Sequence, residues 1–184
     1  MKSTEFFRRF VFLSVVAILA VSTPAVADGI DAGDAFEKLK ALAGTWSGHS
    51  VGEGEAKDSD HDDMKTVHQI QVSANGSVVM ETMSPGSPHE MINMYHLDGA
   101  ELVLTHYCAG GNQPTMRLNR SESSSSDMVF EFTGGSNLDP KVDNHIHDAR
   151  ITWEGDDRIM SQWIAYANGE RAGKMTFALE RGSD

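Results

Sequence analysis

The residues best suited to chemistry in this chain are histidines. His145 and His147 stand two apart in "DNHIHDAR". On an extended strand, residues i and i+2 project from one face, so two imidazoles could converge on one ion. His106 is the candidate third ligand, with Glu81 and His68 as further possibilities. Three protein ligands plus a water would make an open, catalytic type of centre for zinc or another divalent metal. The competing reading has the same imidazoles hydrogen-bonding at the mouth of a barrel.

A second focus is "LTHYCAGGNQP", 104–114, which holds His106, Tyr107 and the single cysteine of the chain, Cys108. A thiol beside a histidine suggests a nucleophile and its base. Two positions apart on a strand is the wrong placement for such a dyad, so no catalytic residue is assigned. Cys108 reads instead as a small buried hydrophobe. Gly110 and Gly111 permit positive φ, and Pro114 ends the turn. His106 is therefore read as a polar contact brought into a lumen near its rim. The acidic run "DSDHDD", 58–63, lacks the glycine and closing glutamate of a calcium loop, and reads as a solvated loop.

These residues need elements to position them. "DAFEKLKALA", 34–43, has Asp34 as a candidate N-cap and Phe36, Leu39 and Leu42 at helical spacing. Everything after Gly44 reads as strands and turns. Asn75-Gly76, Asp98-Gly99 and Asn168-Gly169 are two-residue hairpin signals. They punctuate strands expected at 44–50, 64–73, 77–83, 89–97, 101–108, 114–120, 127–133, 145–154, 158–166 and 171–180. The long segment 134–144 has the length of a functional lid or of a disordered loop. The fold expected is all-β: an antiparallel up-and-down barrel of about ten strands behind one short helix. A barrel of this size keeps room for a small ligand.

Hairpin register assigns the faces. The Asp98-Gly99 turn groups Met91, Asn93, Tyr95, Leu102, Leu104, His106 and Cys108 inside. The Asn75-Gly76 turn groups His68, Ile70, Val72, Val79, Glu81 and Met83 inside. Strand 145–154 places His145, His147, Ala149, Ile151 and Trp153 inward, and the last hairpin places Met160, Gln162, Ile164, Tyr166, Met175, Phe177 and Leu179 inward. An apolar, methionine-rich wall with a polar minority suits a small-molecule pocket. The candidate ligand-binding residues are Glu81, Met91, Asn93, Tyr95, Leu104, His106 and Gln162; the candidate metal residues are His106, His145 and His147.

The start of the chain addresses location. Lys2, Arg8 and Arg9 flank the apolar stretch 10–21, and "AVA" at 25–27 offers the small residues a signal peptidase cuts. Residues 1–27 are read as a signal peptide and 28–184 as one barrel domain, exported to a periplasm or secreted. Cleavage removes Lys2, Arg8, Arg9 and Glu5, so the formal net charge moves from −12 to −14. Such acidity argues against nucleic acid and anionic membrane surfaces as partners. A lone cysteine excludes an intramolecular disulfide.

"LAGTWSG", 42–48, directly after the helix, resembles the first-strand signature of the calycin group: lipocalins, fatty-acid-binding proteins and nitrobindin-like haem barrels. The resemblance implies that Gly44 and Trp46 close the barrel floor and that Arg181, in "FALERGS", packs over the indole. The stretch 80–116 also resembles uncharacterised exported bacterial proteins of a DUF1579-like group, which implies a fold and no transferable activity. Nitrobindin-like proteins ligate haem through a histidine on a strand near the C-terminus. No histidine follows His147 here, which departs from that pattern.

Three readings stay open on the sequence: an exported barrel binding a small, largely apolar ligand, a metal-dependent enzyme or metal-binding protein using the histidine cluster, and a haem barrel.

Overall fold

The computed structural model describes residues 29–54 and 64–182. The expected signal peptide and the acidic run 58–63 lie outside the described residues. The helix α1, Ala32–Lys40, starts two residues earlier than the spacing predicts. Asp31 is the N-cap, its Oδ1 accepting the Gly33 N–H at 2.8 Å. Asp34, expected at the cap, falls in the first turn, where a carboxylate suits the positive end of the helix dipole.

Ten strands follow: β1 (Gly44–Gly54), β2 (Lys65–Ser73), β3 (Val78–Met83), β4 (Met91–Asp98), β5 (Glu101–Tyr107), β6 (Gln113–Leu118), β7 (Asp127–Ser136), β8 (His145–Trp153), β9 (Arg158–Ala167) and β10 (Glu170–Arg181). Each pairs antiparallel with its neighbour in sequence, and β1 closes on β10, so every edge is paired. Among the described residues the architecture is a closed ten-stranded antiparallel barrel with one short α-helix on its N-terminal side.

Alternation puts one face of each strand in the lumen. His68, Ile70, Val79, Glu81, Met83, Asn93, Tyr95, Leu102, Leu104 and His106 are all buried there, as the sequence pattern predicts. Val72 is the exception on that face; it is exposed at the end of β2. The Asp98-Gly99 hairpin pairs Leu97 with Leu102 and Asp98 with Glu101, so its turn is Gly99-Ala100. That slides the pairing by two, which leaves every side chain on its expected face.

Bulges change the faces elsewhere. In β10 the pairing steps from Arg171↔Tyr166 to Gly173↔Ala165, leaving Ala172 extra. Phe177 therefore pairs with Ser161, and Met175 with Trp163. Ile159, Ser161 and Trp163 are the buried residues of β9. The expectation for Met160, Gln162, Ile164 and Tyr166 is reversed by that single inserted residue. A second bulge leaves His147 extra in β8, between Ile146↔Ala165 and Asp148↔Ile164.

The helix covers one end of the barrel. Phe36, Leu39 and Leu42 join the core with Ile70, Tyr95, Ile151 and Ile159. The lumen is filled rather than hollow. The void beside Leu39, Leu42, Ile70, Val79, Glu81, Tyr95 and Ser161 has about 10 Å³ of room, at most the space of one water. Trp163, Phe130, Met116 and Met128, all nearly inaccessible, occupy the space that strand number alone would leave for a ligand.

Candidate functional site

A chain of polar side chains crosses the apolar lumen from β2 to β5. His68 Nδ1 lies 2.7 Å from Glu81 Oε1. Glu81 Oε2 accepts from Asn93 Nδ2 at 2.8 Å and from Tyr95 Oη at 2.9 Å. Asn93 Oδ1 lies 2.7 Å from His106 Nδ1. The strand register makes this chain: Glu81 faces Asn93 across β3 and β4, and Asn93 faces His106 across β4 and β5. Such directly opposed pairs are in side-chain reach. All five residues are buried.

The proton positions follow from one group. Burial pushes the Glu81 carboxyl up, but hydrogen bonds from His68, Asn93 and Tyr95 and the charge of His68 more than offset this. Its pKa lies below the ordinary carboxylate value. An ionised carboxylate only accepts. His68 must donate its Nδ1 hydrogen, and Asn93 must turn its amide NH₂ toward Glu81. The Asn93 oxygen then faces His106, which must donate its own Nδ1 hydrogen. Burial, opposed by the nearby Glu81 charge, lowers the His106 pKa to about 4. His106 is neutral at physiological pH, with a lone pair on Nε2. Tyr95 is raised well above its ordinary value by burial and by Glu81, so it stays a phenol.

Neither His68 Nε2 nor His106 Nε2 meets a hydrogen-bond partner among the described residues. Their neighbours are rings: Phe177 at 4.9 Å from His68, and Trp163 at 5.4 Å from His106, between centroids. A buried polar atom without a partner costs about 1–3 kcal/mol and calls for an explanation.

The predicted metal set is not brought together. Among the described residues, no three His, Cys, Asp or Glu side chains stand where they could hold one ion. His106 is committed to Asn93 in the lumen, while the bulge carries His145 and His147 into a separate ring stack. His147 lies between Phe132, at 4.7 Å, and Tyr166, at 3.9 Å, both stacked. His145 Nδ1 gives its hydrogen to the Asp143 carbonyl at 2.9 Å. Asp148 Oδ2 is 3.1 Å from His147 Nδ1, but that nitrogen has no well-aligned hydrogen bond. The ring stack therefore holds His147 better than the carboxylate does.

Of the predicted ligand-binding residues, Glu81, Asn93, Tyr95 and His106 form the chain itself. Leu104 is fully buried in the wall, and Met91 is half-buried at the edge of the core. Gln162 is not part of this group. It pairs with Thr176 and Arg150 on the opposite face of β9, as the Ala172 bulge dictates.

Two residues matter more than the sequence pattern suggests. His68 shares the Glu81 carboxylate, a link visible only once β2 is paired with β3. Trp163 stands over His106 only because the β10 bulge turns it inward.

The turn after β5 plays a structural part. Gly111, at φ 89°, closes it, with its N–H on the Cys108 carbonyl at 2.9 Å. Cys108 Sγ accepts from Gly110 N at 3.4 Å and is not paired with His106. Asn112 is buried and donates to the Asn144 carbonyl at 2.8 Å, tying this turn to the 137–144 loop.

At the helix end, Trp46 and Arg181 come together. Trp46 donates Nε1–H to the Leu42 carbonyl at 2.8 Å. The Arg181 guanidinium lies 4.4 Å from the indole centre and donates to the carbonyls of Ala43 at 2.9 Å and Ala41 at 3.1 Å. Gly44, at φ 135°, makes the bend from helix to β1.

No family model matches the chain, and no curated protein matches it. Solved structures share its fold. A protein of unknown function from the DUF3598 family of Nostoc punctiforme superposes with a TM-score of 0.54 at 15% identity. That match covers 88% of this chain and 53% of the other, so the chain spans about half the length of that protein. Rv2717c from M. tuberculosis superposes with a TM-score of 0.51 at 16% identity, covering 81% of this chain and 98% of that one. At these identities the likeness is one of fold alone, an antiparallel barrel, and it does not show a DUF1579 link.

Proposed function

We propose that the protein is an exported barrel that binds a small, largely apolar molecule at the lumen end opposite α1. The observation that carries this reading is the bare Nε2 of His106, buried in an apolar lumen and anchored from behind by Asn93. A pocket of this kind is apolar with a few fixed polar groups, and His106 has the fixed orientation such a group needs. His106 sits one residue from the end of β5, on the side away from the helix. The half-buried side chains of Met91, Ile146 and Met175 pack near that end. A ligand must displace some of them, since the lumen is filled. Methionine adapts at little cost. The leader at 1–27 supports export.

The test is a titration of the mature 28–184 protein with short alcohols, acids and ketones, followed by tryptophan emission and amide NMR. Binding should perturb Trp163, which lies against His106, and should weaken about tenfold in His106→Leu, the loss of one good hydrogen bond. If no probe saturates, or if His106→Leu binds as well as the parent, the reading is wrong.

A further inference from the structure

The polar chain in the lumen has a direction, and the direction selects a ligand. Everything starts at Glu81, whose two oxygens accept from His68, Asn93 and Tyr95. Because a carboxylate has no hydrogen to give, each link turns its donor toward Glu81. Asn93 passes this on: its NH₂ is used on Glu81, so its oxygen is what His106 meets. His106 spends its only hydrogen on that oxygen. The outer nitrogen, Nε2, is left as an acceptor. Among the described residues, no lysine or arginine is buried in the lumen. The His106 end of the chain thus offers an acceptor, with the Glu81 carboxylate behind it.

We infer that the lumen recognises an uncharged hydrogen-bond donor, an alcohol-type hydroxyl on an apolar body, and rejects carboxylates. This rests on the binding reading above. A hydroxyl satisfies Nε2 of His106 and brings no charge into a low-dielectric interior. A carboxylate brings a second negative charge toward Glu81 and presents lone pairs to a lone pair. A ketone also lacks the hydrogen that Nε2 requires. The barrel would in this respect differ from one built around a buried arginine or lysine for anionic heads.

Two measurements decide it. Long-range ¹H–¹⁵N spectra of His106 should show the hydrogen on Nδ1 and a bare Nε2 at neutral pH; a hydrogen on Nε2 would overturn the inference whether or not any ligand is found. The second is a comparison of 1-octanol with octanoate near pH 8. Octanol should bind at least about tenfold more tightly, and octanoate should recover as the pH is lowered and the acid protonates. Equal or tighter binding of octanoate near pH 8 would overturn the inference while leaving the binding reading intact. If neither binds, the binding reading falls, and the His106 spectrum still decides the polarity of the chain. Glu81→Gln should erase the preference, because a carboxamide can meet Asn93 in either orientation; a preference unchanged in that variant would also count against it.

Discussion

His106 should make the barrel acid-sensitive in a way that one substitution can remove. In the unfolded chain its imidazole titrates at its ordinary value of 6.5; in the barrel, burial lowers this to about 4. Between those values the unfolded state binds a proton that the folded state refuses. Stability therefore rises with pH across this window. The contribution is present in full above the unfolded value and is lost as pH falls toward the folded one. For a single site, going from about pH 7.5 to about pH 4.5 removes about 2.5 kcal/mol.

The assay is urea unfolding of the mature protein and of His106→Leu at those two pH values. The leucine leaves Asn93 Oδ1 without its donor, which costs roughly 1–2 kcal/mol at every pH. That offset does not affect the slope. The parent should lose about 2.5 kcal/mol more than the variant on acidification. Stopping near pH 4.5 keeps Glu81 largely out of the comparison, because its folded value lies below 4.5. Parallel losses in the two proteins, or an NMR titration placing His106 at or above its ordinary value, would refute the reasoning.

Three further outcomes follow from other contacts. Glu81→Leu strips the acceptor from His68, Asn93 and Tyr95 together and should cost about 3 kcal/mol or more in urea unfolding; a neutral result would mean the chain adds nothing to stability. Arg181→Ala removes two carbonyl hydrogen bonds and the stacking on Trp46, and should cost about 1–2 kcal/mol, with Arg181→Lys recovering little because lysine has no planar fork. Gly48→Ala sets a Cβ 1.8 Å from the Ala178 carbonyl oxygen across the β1–β10 seam, so thermal unfolding should show a loss of about 3 kcal/mol.

Much of the fold is legible because hairpin-linked strands carry their own register. Asn75-Gly76 and Asn168-Gly169 both mark real turns, and a slip of two at the β4–β5 hairpin changed no face. What parity cannot carry across is a bulge. Ala172 has no residue type that announces an insertion, yet it exchanges Gln162 for Trp163 in the lumen. His147 likewise lies in an unremarkable alternating run, and its bulge is what parts it from the lumen wall. Lumen volume was equally hidden. Strand count sets the width of a barrel, but the room left inside depends on which large side chains turn inward.

The site itself was half legible, and the missing half is instructive. Parity placed Glu81, Asn93, Tyr95 and His106 on one interior, so their shared burial follows from the sequence. Their order along a chain does not, because it depends on which residues face one another across β2 to β5. Once those pairs are known, little freedom remains. A carboxylate held ionised by three donors determines the orientation of an amide, and that amide determines the tautomer of an imidazole two strands away. Read as a list, these are four polar residues in a core, and burying them looks like a cost. Read in order, they transmit the character of Glu81 to the His106 end of the chain, where the last atom can only accept a hydrogen bond. The ligand proposed for the lumen would complete that atom, and the His106→Leu titration tests whether it does.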